Sequence, residues 1–306
     1  MQPIAQADTE FIAKVYEFIS LTGWTQSQLS QRAGISTSVL SQFLTCKYPG
    51  DKGKVKKRLC DVIEVESKRM STRTINPLFI ETTVSKRFFS IASMCNVFNE
   101  IGVCFADAGI GKTESAREFV ARNSPSILIE ADPGYTPTVL FKELHLNIGG
   151  FGTNNLHNTF NDCIERLKKS GRLLIIDEAE QLPYKSLEMV RRLHDKAEIG
   201  ILLTGMEKLL GNLTGYRGQY SQLYSRVGFK AKLLSLTEDD TENIVKRQLG
   251  DTNNLWKVFH RLSRGNTRCL FKLIRNSIHV SDINHCSLDA NVIQTAFEMM
   301  SFEVNE

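Results

Sequence analysis

One stretch, GVCFADAGIGKTESAREF at positions 102–119, constrains this chain more than any other. An apolar run from Ile101 to Phe105 breaks at a loop with two glycines. The loop passes straight into a helical pattern, TESAREFVARN. From Ala106 to Thr113 the spacing is that of G-x-x-x-x-G-K-[ST], with alanine in place of the first glycine. In such a loop the backbone N–H groups turn inward on phosphate oxygens, and the helix that follows adds its positive N-terminal end. Gly109 and Gly111 stand where the backbone must come closest to the ligand. Lys112 is placed to reach β- and γ-phosphates and Thr113 to put its hydroxyl on Mg2+. Ala106, Ile110 and Glu114 complete the expected nucleotide-binding set. The missing glycine supplies a permissive backbone angle rather than a contact, so Ala106 is compatible with the loop provided its φ is negative.

A partner motif lies downstream. GRLLIIDEAEQL (171–182) is an apolar strand ending in adjacent acids. Asp177 is expected to hold the metal shell and Glu178 to polarise the attacking water. Loop and acidic pair together predict Mg2+-dependent hydrolysis of a nucleoside triphosphate.

The rest of the chain sets the frame. Its 306 residues suffice for two or three domains, and 42% hydrophobic with 24% charged residues is ordinary for a globular protein. No apolar run approaches the roughly 20 residues of a membrane span. The N-terminus MQPIAQADTEF has no signal-peptide pattern, and the seven scattered cysteines form no C-x-x-C pair. A protein of the cytoplasm, with no membrane partner, is expected. The net charge of +4 is mild, but residues 1–75 carry 11 basic against 7 acidic residues and so the whole excess. Its densest part, KGKVKKR (52–58), reads equally as a solvated helical face or a phosphate-contacting patch.

Residues 1–65 read as an all-α domain. In WTQSQLSQRAGISTSVLSQFL, Thr25 caps a short helix, Gly34 makes the turn and Ser36 caps a second helix. Leu29, Ala33, Ile35, Leu40 and Phe43 are the apolar residues of their crossing. This is a helix-turn-helix pattern similar to that of phage repressors. It would turn Thr37, Ser38, Ser41 and Gln42 to a DNA groove, with Lys47 and Lys52 near phosphate. Polar residues 66–77 read as a linker. From 78 to 236 strands expected at 101–105, 127–130, 173–176, 199–203 and 229–233 alternate with helices, the signature of a parallel α/β sheet. Residues 237–306 turn helical again, as a small lid.

Loop, acidic pair, polar-ended fourth strand and helical lid resemble the AAA+ ATPases. In that family Thr204, ending GILLTG, would sense the γ-phosphate. Arg226, in QLYSRVGF, would be the finger that reaches a neighbour's nucleotide, and Arg268, in GNTRCLFKLI, the second sensor on the lid. The order of parts, from the helix-turn-helix through FIETTVSKRFFSIA, GIGKTESARE, LLIIDEAEQL and LYSRVGF, resembles the phage Mu transposition protein B family over residues 10–300. That resemblance implies ATP-dependent and largely sequence-independent binding of double-stranded DNA. It further implies assembly into helical homo-oligomers and activation of a DDE-type transposase. It turns two loops toward DNA, DPGYTPT with Tyr135 and Thr136, and EQLPYKS with Tyr184 and Lys185. A replication initiator or helicase loader, and a repressor-like regulator with a nucleotide-sensing domain, are the competing readings.

Overall fold

The computed structural model describes residues 6–71, 79–151, 155–215 and 221–300. The chain divides into two compact units, Met1–Thr74 and Ile75–Glu306.

The first unit is helical: α1 (Gln6–Thr22), α2 (Gln26–Arg32), α3 (Thr37–Leu44) and α4 (Lys52–Ser71). Thr25 closes a capping box with Gln28 at the start of α2, and Ser36 accepts from the Val39 N–H at the start of α3. Gly34 turns between them at φ +63°, a left-handed angle that glycine adopts without strain. Phe11, Val15, Leu29, Leu40, Phe43 and Leu59 meet in the core of this unit. α4 corrects one expectation: it runs on to Ser71, through the first half of the segment whose polarity suggested a linker. Glu, Lys, Arg and Met are good helix formers whatever their polarity, and Glu66 accepts from Arg32 at 3.4 Å. Positions 72–77 lie outside the described residues.

In the second unit, β1 (Ile101–Phe105), β2 (Ile127–Glu130), β3 (Leu174–Asp177), β4 (Ile201–Gly205) and β5 (Val227–Lys232) form one sheet in the order β2-β3-β4-β1-β5. Every pairing is parallel. The expected strands are all present, with the third and fourth shifted one or two residues toward the C-terminus and the fifth beginning two residues earlier and ending one earlier than expected. β1 is buried on both faces: Ile101, Val103 and Phe105 enter one core and Cys104 the other. Gly102 lets helix α5 (Thr83–Phe98) lie against the strand, because a Cβ there would come within 2.2 Å of Cys95 Sγ. Burial pushes the Cys95 and Cys104 thiols up to about 12, so both are inert packing groups at neutral pH.

The crossovers are α6 (Lys112–Arg122), the pair α7 (Pro137–Asn147) and α8 (Leu156–Leu167), α9 (Tyr184–Ala197), and the short α10 (Lys208–Thr214) and α11 (Ser221–Tyr224). After β5, α12 (Glu238–Leu249), α13 (Trp256–Ser263), α14 (Thr267–Ile283) and α15 (Ala290–Glu298) make the lid. Thr237 caps α12 with Asp240, whose carboxylate also accepts from the Thr83 N–H at 2.9 Å, tying the lid to the start of α5. No helix of the described residues is long and apolar enough to cross a membrane.

Candidate nucleotide site

β1 sits between β4 and β5, so its carboxyl end opens where the strand order reverses, the position at which parallel sheets of this kind leave a crevice. The loop that leaves it, residues 106–111, carries the two glycines at φ +81° (Gly109) and +108° (Gly111). Ala106 is absent from the positive-φ residues, which answers the question its presence raised. Its N–H donates to the Gly205 carbonyl at 3.1 Å, extending the β1–β4 ladder by one rung, and its methyl is buried. Glycine's freedom is not needed there.

Lys112 Nζ donates to the Ala106 and Asp107 carbonyls at 2.8 and 2.9 Å, so the ammonium lies inside the arc of the loop. Burial pulls its pKa down, while Asp177, Glu180, Asp107 and Glu178 oppose that pull. Thr113 Oγ1 donates to Asp177 Oδ2 at 2.5 Å. The other carboxylate oxygen, Asp177 Oδ1, is buried without a hydrogen-bond partner, as is Thr204 Oγ1. Ile176 pairs with Leu203, so Asp177 and Thr204 follow as neighbours on β3 and β4. Buried polar oxygens are nearly always met by a partner, and a polar ligand reaching the carboxyl ends of β3 and β4 would meet these two. The Thr113 hydroxyl and Asp177 carboxylate are hard oxygen donors. They suit a Mg2+ ion that keeps waters and takes its remaining ligands from phosphates. Among the described residues no group of three or more His, Cys, Asp or Glu could hold a metal alone. The donor set therefore fits a nucleotide-borne ion and not a protein-caged one.

Glu178 is exposed and held at φ +52°, a left-handed angle uncommon outside glycine. That turn separates it from Asp177 and points successive acids in different directions. A third acid, Glu180, was not singled out by the sequence reading. It is only 7% exposed; Oε1 accepts from the Met206 N–H at 3.1 Å and Oε2 has no partner. The Glu180 carbonyl accepts from Asn212. A Cβ on Gly205 would stand 2.0 Å from Glu180 Oε2, so the glycine after Thr204 was the available signal. Glu180 ties the acidic turn to the end of β4.

The lid completes the cleft through α14. Asn266 Nδ2 donates to the Ala108 carbonyl (2.8 Å), the Arg268 N–H to Gly109 (2.9 Å) and Thr267 Oγ1 to Ile110 (2.8 Å). The loop thus offers its carbonyls outward to the lid and keeps its N–H groups for a ligand. The cleft between them measures about 1140 Å3; Lys112, Thr113, Asp177, Glu178 and Arg268 line its polar end, and Ile80, Ile244 and Phe271 its apolar end. The Arg268 side chain is exposed into it. Ile110 is buried in the core beneath the loop. Glu114 also lines the cleft, but it is paired with Arg117 at 2.9 Å, and Arg117 in turn with Glu130.

Arg226 is not in this cleft. It precedes Val227, which pairs with Ile101 at the start of β1, whereas the loop follows the end of β1. Four residues of strand, about 13 Å, separate the two levels of the sheet.

Of the residues expected to meet DNA, Thr37, Ser38, Ser41 and Gln42 are exposed on α3, and Lys47 and Lys52 are exposed beside it. Thr37 and Ser38 hydrogen bond with Ser30 and Ser36. In the second unit the Tyr135 hydroxyl donates to Glu143, and burial together with that bond raises its pKa. Tyr135 is therefore half-buried and engaged rather than presented. Thr136 caps α7 through the Val139 N–H, Tyr184 opens α9 partly exposed, and Lys185 is exposed in the same turn.

Comparison with known proteins agrees with this geometry. Residues 99–213 match the family model described as an AAA domain. The chain is 28% identical over 240 residues to the Mu-like prophage FluMu DNA transposition protein B of Haemophilus influenzae, covering 77% of this chain and 84% of that protein. It is 27% identical over 224 residues to the ATP-dependent target DNA activator B of Escherichia phage Mu, covering 72% of each. Among solved structures the Aeropyrum pernix ORC2 protein superposes with a TM-score of 0.58 at 16% identity, over 75% of this chain and 72% of that one, a likeness of fold. The parts gathered in the cleft are those of an ATP-hydrolysing enzyme, and the chain that holds them is similar over about three quarters of its length to the transposition B proteins of Mu-like phages.

Proposed function

We propose that the protein is an ATPase that assembles on double-stranded DNA as a helical homo-oligomer, binds it with little regard to sequence, and delivers it to a DDE-type transposase that it activates. One observation supports the oligomer: among the described residues the arginines that line the cleft are Arg117, paired with Glu114 and Glu130, and Arg268 on the lid, while Arg226 stands at the other end of the sheet. An arginine finger neutralises charge developing on the γ-phosphoryl group and is worth about 10³–10⁵ in rate. A second copy is the natural recipient. The names of the relatives support the choice of DNA and of transposition.

Within one protomer the geometry supports the following roles. The inward N–H groups of 109–113 and the Lys112 ammonium cradle phosphates. Thr113 and Asp177 would hold Mg2+, which would supply screening of phosphate charge. Glu178 would orient and deprotonate the attacking water, Thr204 and Arg268 would report the γ-phosphate, and Ile80, Ile244 and Phe271 offer an apolar lining for the base. Toward DNA, five basic residues crowd the first two turns of α4, Lys52, Lys54, Lys56, Lys57 and Arg58, without an acid in its first turn. Cations at a helix N-terminus oppose the macrodipole, so a polyanion is their natural counterpart; repeated along an oligomer, weak phosphate contacts multiply into firm binding.

Electron microscopy of the protein with duplex DNA and ATP, or ADP, tests the proposal. Filaments are expected with ATP alone, on any sequence, and lost steeply with salt. A footprint confined to one sequence, without filaments, would replace the proposal by a repressor-like regulator.

A further inference from the structure

The far end of α9 shows how Arg226 is held. Glu188 accepts from Arg191 Nε and Nη2 at 2.9 and 2.7 Å and from Arg192 Nε at 3.1 Å. Arg191 Nη1 donates to Asp195 Oδ2, and Asp195 Oδ1 accepts from Arg226 Nε at 3.1 Å. Glu188, Arg191 and Asp195 are spaced i, i+3, i+7, one face of the helix. The strut is well shielded where it starts and open where it ends: the Arg191 side chain is 13% exposed and that of Arg226 52%. Asp195 grips Arg226 through Nε only. Among the described residues neither terminal nitrogen of Arg226 is hydrogen bonded, although Glu100 and Glu198 line the same cavity.

This is a specific use of a guanidinium. Its five donors lie in one plane, and the pair of terminal nitrogens is the fork that meets phosphate. A carboxylate bound to that fork would neutralise and occupy it; one bound at Nε leaves it free and fixes the plane. We infer that Asp195 is a positioning residue that aims the terminal nitrogens of Arg226 out of the protomer, toward the phosphates bound by a second copy. This rests on the reading of Arg226 as a finger acting between copies.

The full chain on duplex DNA, assayed for ATP hydrolysis, tests it with four proteins: wild type, Arg226→Ala, Asp195→Ala and the double variant. Asp195→Ala is expected to lower kcat by about 10–100-fold, the scale of a misplaced reacting group, with KM for ATP, melting temperature and filament formation held. The double variant should be no slower than Arg226→Ala, because Asp195 acts only through that arginine. Asp195→Asn keeps an acceptor for Nε and should recover most of the rate, which a purely structural loss of charge would not do. If Arg226→Ala itself hydrolyses at the wild-type rate, the finger reading fails. If Arg226→Ala is slow but Asp195→Ala is unimpaired or faster, or the two losses multiply, Asp195 does not aim the arginine. Should Asp195→Ala melt early, Asp195→Asn and Asp195→Glu decide: a kcat that does not follow the expected order, Asn near wild type and Glu displaced, overturns the inference.

Discussion

Two single-methyl exchanges in the loop should have opposite meanings for the ligand. At Gly109 an added Cβ would lie 2.6 Å from Asn266 Oδ1 and 3.0 Å from Arg268 Cβ, at φ +81°. The left-handed angle costs an L-residue roughly 1–2 kcal/mol. Asn266 must also swing away, giving up its bond to the Ala108 carbonyl and its cap on the Cys269 N–H, roughly 1 kcal/mol each. A loop so strained relaxes when free, and phosphate binding must pull it back. Gly109→Ala is therefore expected to weaken ATP binding by roughly tenfold or more, at 1.4 kcal/mol per decade. Ala106→Gly removes a buried methyl, worth about 0.8 kcal/mol, and adds backbone entropy to the unfolded chain, about 0.5–1 kcal/mol. Melting should fall by a few degrees, on the order of 3–6 °C, while affinity stays within about twofold. Titration with a fluorescent ATP analogue, with thermal unfolding in parallel, reads both. If Ala106→Gly bound tenfold tighter, or Gly109→Ala bound as wild type, the assignment of which backbone angles the loop needs would be refuted.

Three other outcomes are expected. Glu178→Gln should retain ATP while hydrolysis falls by about 10² or more, the usual worth of a positioned base; single-turnover rates at saturating ATP check this. Mixing Arg226→Ala with Lys112→Ala should restore some activity through sites built from one intact half of each, read as a maximum in rate against mixing ratio. Burial would raise the Asp240 carboxyl, but hydrogen bonds from Thr83 and Thr237 outweigh it and hold it below the usual value. Its stabilising contribution is present above the ordinary carboxylate range near 4 and is lost as pH falls through the lowered folded value. Asp240→Asn should cost roughly 1–2 kcal/mol at pH 7 and flatten the acid limb of stability measured by urea unfolding.

What could be seen in the sequence was what neighbours in sequence decide. Thr25, Ser36, Thr136 and Thr237 all cap the helices that their position announces, and the strands lie where apolar runs meet turn residues. Lys112, Thr113 and Asp177 were legible because the loop fixes the first two and the strand the third. Contacts across long separations were not. Nothing local says that Asn266 and Thr267 bond to the loop more than 150 residues earlier, or that Glu180 turns inward while Glu178 stays out. Arg226 could be noted by its place before β5, but its carboxylate partner lies 31 residues away on α9. Polarity misled at 66–71, where helix-forming residues imitate a linker.

The separation of Arg226 from its own loop by the length of β1 would make the proposed chain of subunits directional. If Arg226 acts between copies as proposed, each arginine in an open row would serve the cleft ahead of it, so one terminal subunit would have a cleft that nothing serves and the other an arginine with nothing to serve. The two ends then age at different rates. The unserved cleft keeps its triphosphate and stays put, while interior and opposite-end subunits turn over, so loss from the row begins at one end and runs one way along the duplex. Row length becomes a rate-setting quantity as well, because the share of clefts left without an arginine is largest in the shortest rows.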